Sequence, residues 1–364
     1  MKRFFFRVDA SIQIGSGHVM RCLTLAKALR EHGIQCSFVC REHEGHFGEL
    51  IKKNGFELFL LSTEIGADLQ IDSGLAHSSW LRCSIDMDAK QTRQVLPEKV
   101  DCLVVDHYAL DARWESQMRS VCQKIVVIDD LADRKHDCDV LLDQNLGTTE
   151  TDYSELVPAH CIKLIGPKFA LLRPEFAEWR EYSLQRRKYP ELKNILISMG
   201  GVDKDNITGK ILHQLSLSLL PDESTITVVM GTTAPWLEDI KSLAIKMPIF
   251  TKVLVNVENM AELIANCDFV IGAAGATAWE RCCLGVPSLT IVIADNQKKV
   301  ATALAKNKAT ILYHQSLTME GNINLALDIN KNKELSSVSA AIVDGLGANR
   351  VVNRVLYGYY QKSY

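Results

Sequence analysis

Four short stretches of this chain combine glycines with polar side chains in a way that could serve chemistry. The first is Gly15-Ser16-Gly17-His18, set between a hydrophobic run and a helical pattern. Two glycines let the backbone turn tightly and come close to a ligand. The helix start behind them presents free N–H groups to an anion such as phosphate. The following residues do not complete G-x-G-x-x-G, so the dinucleotide fingerprint is missing. An imidazole stands there instead, and imidazole titrates where proton transfer near neutrality needs it. His18 therefore either fills the turn at the helix start or moves a proton beside an anion site.

The other three stretches lie in the rear half. Met199-Gly200-Gly201-Val202-Asp203 closes an apolar run. It reads as an ordinary strand-to-helix turn capped by Asp203, or as a second close approach to a ligand. Residues 268–280 run from an apolar segment through the small residues 272–277 into a helical pattern. Backbone amides there suit a diphosphate. Glu280, one turn on from Thr277, either favours the helix dipole or accepts the two hydroxyls of a ribose. Asn296 and Gln297 follow another apolar run, where amide side chains either cap a helix or pair with sugar hydroxyls and acetamido groups.

These stretches need elements to hold them. Short, almost continuous apolar runs at residues 4–8, 34–40, 100–106 and 124–129 read as parallel strands covered on both faces. Residues 19–31 between the first two repeat apolar positions at helical spacing, and Gly33 stops them. Two of the strand runs end in carboxylates, Asp106 and Asp129. A second series of strands is expected at 194–198, 225–229, 249–254, 268–271, 289–293 and 310–313. The expected architecture is α/β, with two Rossmann-like doubly wound domains: residues 1–175, a polar linker over 176–192, residues 193–345, and a C-terminal helix over 346–364 that packs back towards the first domain. A cleft between the halves is the expected ligand site. The stretch from 62 to 92 carries no legible motif.

Composition narrows the function. A formal charge of −3 with dispersed Lys and Arg gives no field for nucleic acid. No apolar run reaches membrane length and no cleavable leader is visible, so a cytoplasmic protein with no membrane partner is expected. The eleven cysteines show no zinc spacing and read as buried reduced thiols, with no metal and no cofactor.

Together the motifs resemble the UDP-2,4-diacetamido-2,4,6-trideoxy-β-L-altropyranose hydrolases of pseudaminic acid biosynthesis. The resemblance runs in order through Arg7-Val8-Asp9-Ala10, residues 14–22, Val105-Asp106-His107-Tyr108, residues 129–134, 166–173, 198–203 and 256–260, the 272–280 loop and Asn296-Gln297. It implies a GT-B fold whose second domain holds UDP while the first supplies His18 as proton acceptor. It puts Tyr108 and Arg173 in the sugar pocket, and Glu280, Asn256, Met260, Thr277, Asn296 and Gln297 among the nucleotide-sugar contacts. Gly17, Gly201, Gly275 and Ala276 meet the pyrophosphate. Ala274 and Ala276 depart from the family, where Gly and Ser are common. The resemblance gives no role to Asp9 or Arg21. Water activated at His18 and aimed opposite the departing UDP would give hydrolysis with inversion and C–O cleavage, and motifs without a metal-ligand cluster point to a metal-independent reaction. A GT-B glycosyltransferase and a non-catalytic nucleotide-sugar sensor are the competing readings, and an NAD enzyme is disfavoured by the incomplete fingerprint.

Overall fold

The computed structural model describes residues 2–63, 74–218, 220–221, 223–314, 321 and 328–358. The chain divides into two compact units, one of residues 1–171 with 347–364 and one of residues 172–346.

The first unit is built on seven parallel strands: β1 (Arg3–Val8), β2 (Gln35–Arg41), β3 (Glu57–Leu61), β4 (Cys102–Asp106), β5 (Ile125–Ile128), β6 (Val140–Asp143) and β7 (Ile162–Ile165). Their order across the sheet is 3-2-1-4-5-6-7. Side chains alternate along β1 as the strand period requires. Phe4, Phe6 and Val8 pack into one core with α1 (Gly17–Glu31) and a late helix, Gly347–Tyr357, while Phe5 enters a second core on the other face. Both faces are therefore buried, which is why the strands read as continuous apolar runs. The sequence reading named four of these strands. The three it passed over are short, and β3 and β7 lie at the sheet edges where burial is partial. The motif-free stretch holds a helix, α3 (Ile85–Val95), beyond the short α2 (Gly48–Lys53); its residues 64–73 lie outside the described ones.

The second unit repeats the scheme with six parallel strands at the expected places: β8 (Asn194–Ser198), β9 (Thr225–Met230), β10 (Phe250–Val255), β11 (Phe269–Ala273), β12 (Ser288–Ile291) and β13 (Ile311–Leu312). The order is 10-9-8-11-12-13, again doubly wound. In both sheets the strand order reverses between the first strand and the fourth, and ligands of such sheets bind at the carboxyl ends of strands at that switch point.

The segment expected as a linker is instead mostly helix. Residues Pro174–Arg186 form α5, which follows α4 (Ala112–Met118) and belongs to the second unit. Pro174 sits in the first helical position, where its missing N–H costs nothing. The helix buries little beyond Phe176 and Ser183, and is held by arginines that meet backbone carbonyls. Arg180 donates to Val343 and Ala340 oxygens at 2.9 and 2.7 Å, and Arg186 to Cys267 O at 2.9 Å. Polar residues therefore signalled a packed helix here. No described helix is long and apolar enough to cross a membrane. All eleven cysteines are buried and free, and among the described residues no group of three or more His, Cys, Asp and Glu is arranged to hold a metal ion.

Candidate functional site

In the first unit the switch point lies between the ends of β1 and β4, and His18 sits there. The chain leaves β1 at Val8 and closes a local turn in which the Ser11 hydroxyl accepts the N–H groups of Gln13 and Ile14, at 3.1 and 2.9 Å. Gly15, with φ +81°, then donates to Ser11 O at 2.8 Å. That left-handed turn is where glycine is required. The helix begins at Gly17, two residues earlier than its apolar pattern shows, so His18 belongs to its first turn.

His18 and Arg21 are three residues apart on α1 and so share a face. Both reach Asp106 at the end of β4. His18 Nδ1 lies 2.6 Å from Asp106 Oδ1, and Arg21 forks onto the same carboxylate with Nε and Nη2, each at 2.6 Å. Desolvation works against the charge on Asp106, yet Arg21 and His18 hold its carboxyl well below the usual range. An ionised carboxylate only accepts, so Nδ1 of His18 carries the proton that faces it, and in the neutral ring Nε2 is then the acceptor. Nε2 makes no hydrogen bond among the described residues. Arg21 Nη1 continues to Asp130 at 2.9 Å, and Tyr108 donates its hydroxyl to the other oxygen of Asp130. Burial first, and then Asp130, push the Tyr108 phenol well up, so it stays a donor. The Tyr108 ring meets His18 edge-on at 4.6 Å between centroids.

Asp9 follows β1 and anchors a buried charge cluster beside it. Its carboxylate pairs with Arg7 at 2.6 and 3.0 Å and accepts the Arg41 backbone N–H at 2.6 Å. Asp88 of α3 joins Arg7 to Arg41, each at 2.6 Å, and all four side chains are fully buried. His107, next to Asp106 in sequence, brings Nε2 within 3.1 Å of Asp9. Removing one member of such a set leaves a charge buried without its partner.

The second unit shows a different chemistry at the corresponding place. Past β8, Gly200 adopts φ +86° and Gly201 follows. Past β11, residues 274–276 lead into α9 (Thr277–Cys283), which comes after α6 (Ile207–Leu215), α7 (Leu237–Lys246) and α8 (Met260–Asn266). Arg281 pins this loop by donating to Ala273 O at 3.1 Å and Thr290 Oγ1 at 3.2 Å. Packing explains Gly272, where a Cβ would lie 2.8 Å from Arg281 Nη1. It does not explain Gly17 or Gly201, where a Cβ would meet nothing within 4 Å, nor Gly275, where only Gln297 Nε2 lies within 4 Å, at 3.9 Å. None of these three has a positive φ. Their lack of a side chain leaves the backbone open to something other than this protein's own atoms.

Glu280 is half-buried, and its Oε2 is enclosed with no hydrogen-bond partner among the described residues. Burial pushes its carboxyl up, partly offset by Arg173. A buried acceptor left unpaired is costly and asks for a reason. Arg173, expected in the first domain, belongs to the second unit, where it precedes α5, pairs with Glu175 at 3.0 Å and donates to Glu258 O at 3.3 Å. Gln297 Oε1 accepts the Ile293 N–H at 3.2 Å, and its Nε2 is the atom nearest to a Cβ placed at Gly275; Asn296 beside it is exposed. Asn256, exposed and left-handed at φ +53°, ends edge strand β10, and buried Met260 opens α8. Thr277 receives a hydrogen bond from Arg281 at 3.3 Å, and Ala276 is exposed before it. Asp203 caps: its carboxylate accepts the N–H groups of Ile207 and Thr208, both at 2.9 Å.

Sequence reasoning assigned no role to Arg21, Asp106 or Asp130. A signal for two of them was present, since Arg21 stands three residues beyond His18 and Asp106 ends a buried strand. His77 and Trp80, which pack near Tyr108, carried none.

Comparison with known proteins follows this division. Residues 210–345 match the Glycosyltransferase family 28 C-terminal domain. The chain is 28% identical over 312 residues to the UDP-2,4-diacetamido-2,4,6-trideoxy-β-L-altropyranose hydrolase of Campylobacter jejuni, covering 85% of this chain and 99% of that protein. It is 26% identical over 290 residues to an uncharacterised protein of Methanocaldococcus jannaschii, covering 78% of this chain but 54% of the relative, so the chain spans about half that protein's length. MurG of Acinetobacter baumannii shares the fold, with a TM-score of 0.68 at 18% identity, over 97% of this chain and 99% of that one. The fold is GT-B, and the resemblance drawn from the ordered motifs holds along most of the chain.

Proposed function

We propose that this protein hydrolyses a UDP-linked amino sugar of the 2,4-diacetamido-2,4,6-trideoxyhexose class, releasing UDP and the free sugar. The observation that carries the reading is the His18–Asp106–Arg21 arrangement, which fixes one imidazole nitrogen as donor and leaves the other as base. Water attacks the anomeric carbon with its oxygen, and its proton passes to Nε2 of His18. The bond from that carbon to the phosphate oxygen breaks, and its electron pair leaves with UDP, so configuration inverts. Asp106 steadies the imidazolium that forms, and Arg21 keeps Asp106 ionised. Positioned general-base help of this kind contributes about 10²–10⁴-fold.

The second unit supplies the nucleotide site in this reading. Backbone at Gly201 and Gly275 meets the diphosphate, amides and dipoles stabilise its growing charge, and the unpaired Glu280 oxygen accepts the ribose hydroxyls. Similarity to the Campylobacter enzyme along the chain supports the substrate class. The test is NMR of the purified protein with the UDP-sugar in ¹⁸O-enriched water and no acceptor. Free sugar labelled at the anomeric oxygen, with inverted configuration and unlabelled UDP, is expected; label in UDP, or no release, rejects the proposal.

The match of residues 210–345 to a glycosyltransferase domain favours one other reading, transfer of the sugar to an acceptor. Release in the absence of any acceptor separates the two.

A further inference from the structure

We infer that Trp80, backed by the buried Tyr108 ring, forms an aromatic shelf on which the apolar face of the substrate's hexose rests, making the first unit selective for sugars poor in hydroxyl groups. The inference rests on the UDP-sugar reading above and deepens it.

The short helix Ser78–Leu81 is tied down by its last residue: Leu81 is buried in the second core of the first unit, while Trp80 beside it stays half-buried. Trp80 N donates to His77 O at 2.9 Å, which fixes the turn. The indole lies nearly parallel to the Tyr108 ring, with centroids 5.5 Å apart and planes 29° apart. It stands edge-on to His18 at 6.2 Å and 84°. His77 completes the group, 4.4 Å from Trp80 and 5.2 Å from Tyr108. A half-exposed indole held parallel to a second ring beside a base offers a flat apolar surface, the kind that packs against C–H groups.

The polar groups around it point the same way. Arg21 commits Nε, Nη1 and Nη2 to Asp106 and Asp130, and Tyr108 commits its hydroxyl to Asp130. These donors are occupied by the protein itself. A hydroxyl turned towards the indole face would give up water without gaining a partner from Arg21 or Tyr108, and a polar group left unpaired in this way is disfavoured. A deoxy sugar carries a methyl or hydrogen where that hydroxyl would be, and the shelf favours that surface.

The test is calorimetry in a His18→Ala background, which keeps the sugar intact. UDP, UDP-N-acetylglucosamine and a UDP-2,4-diacetamido-2,4,6-trideoxyhexose are titrated into the Trp80 wild type, Trp80→Ala, Trp80→Leu and Trp80→Phe. With Trp80 present, the trideoxy sugar is expected to bind more tightly than UDP-N-acetylglucosamine. Trp80→Ala should erase about tenfold of that preference with UDP affinity unchanged, and Trp80→Phe should restore most of it. Trp80→Leu keeps apolar volume without a ring and should resemble Ala, which covers the case where Ala alone unfolds. Equal affinities for both sugars in all proteins that bind UDP, or full preference in Trp80→Leu, overturns the shelf while leaving the UDP reading intact. No UDP binding by the parent protein overturns both.

Discussion

The two units carry the same strand order and put opposite chemistry at the same topological point. At the end of β1 and β4 the first unit gathers charge: His18, Arg21, Asp106, Asp130 and Tyr108, linked by short hydrogen bonds and closed to most solvent. At the end of β8 and β11 the second unit gathers its absence, with Gly201, Gly275 and Ala276 bringing backbone to the surface and the Glu280 carboxylate nearby, whose Oε2 has no hydrogen-bond partner among the described residues. A doubly wound sheet provides a place where loops diverge, and the residues written into the loops decide its use. In the function proposed above, one copy moves a proton and the other receives a charged group through amides.

That contrast can be broken at either end. The largest effect is expected from His18→Ala, which should lower turnover by about 10²–10⁴-fold while calorimetry finds UDP affinity unchanged. Arg21→Met should cost about 3–5 kcal/mol in urea unfolding, because Asp106 keeps its burial and loses its fork, and turnover should fall with KM little altered. On the other side, Gly275→Val puts a branched side chain where backbone now lies open. It should weaken UDP about tenfold or more with stability within about 0.5 kcal/mol of wild type, as is usual for a change that strikes no packed atom.

A fourth prediction concerns a buried acid outside the proton-moving set. Burial raises Asp143 to about 7, with Asp130 and Asp129 adding to the rise against a hydrogen bond from Asn145 N. Its folded pKa therefore lies above the unfolded one. The native state holds a proton that the unfolded chain has released, so this contribution to stability is complete below about pH 4 and is lost as pH climbs to about 7. Asp143→Asn imitates the protonated form, and chemical unfolding should then show a flatter slope across that window. A slope equal to wild type would assign the effect elsewhere. The smallest effect expected is that of EDTA, which should leave turnover within about twofold if amides and dipoles carry the leaving diphosphate.

Much of this was legible in the residues. Strands covered on both faces announce themselves as apolar runs, and all six of the second unit stood where those runs lie. The glycine stretches sat at strand ends because a sharp turn follows each strand. The partly exposed edge strands β3 and β7 of the first unit were less legible, and so was α5, whose stability comes from elsewhere than a hydrophobic stripe. Helix α5 is fastened by Arg180 and Arg186 to carbonyls that are distant in sequence, Ala340 and Cys267, and no local pattern encodes such partners. The site shows the same limit. His18 was visible from its neighbours, whereas Asp106 lies 88 residues away and gains meaning only when β4 is laid beside β1. Trp80 lay in a stretch without periodicity, and only the rings it packs against mark it.

The division between the units is tested most directly by a four-protein comparison: wild type, His18→Ala, Gly275→Val and the double variant, each measured for turnover and for UDP dissociation constant. His18→Ala should move turnover alone, Gly275→Val chiefly the dissociation constant, and the double variant should show both changes at full size. A His18→Ala protein that loses UDP affinity in step with turnover, or that turns over as wild type does, would contradict the account.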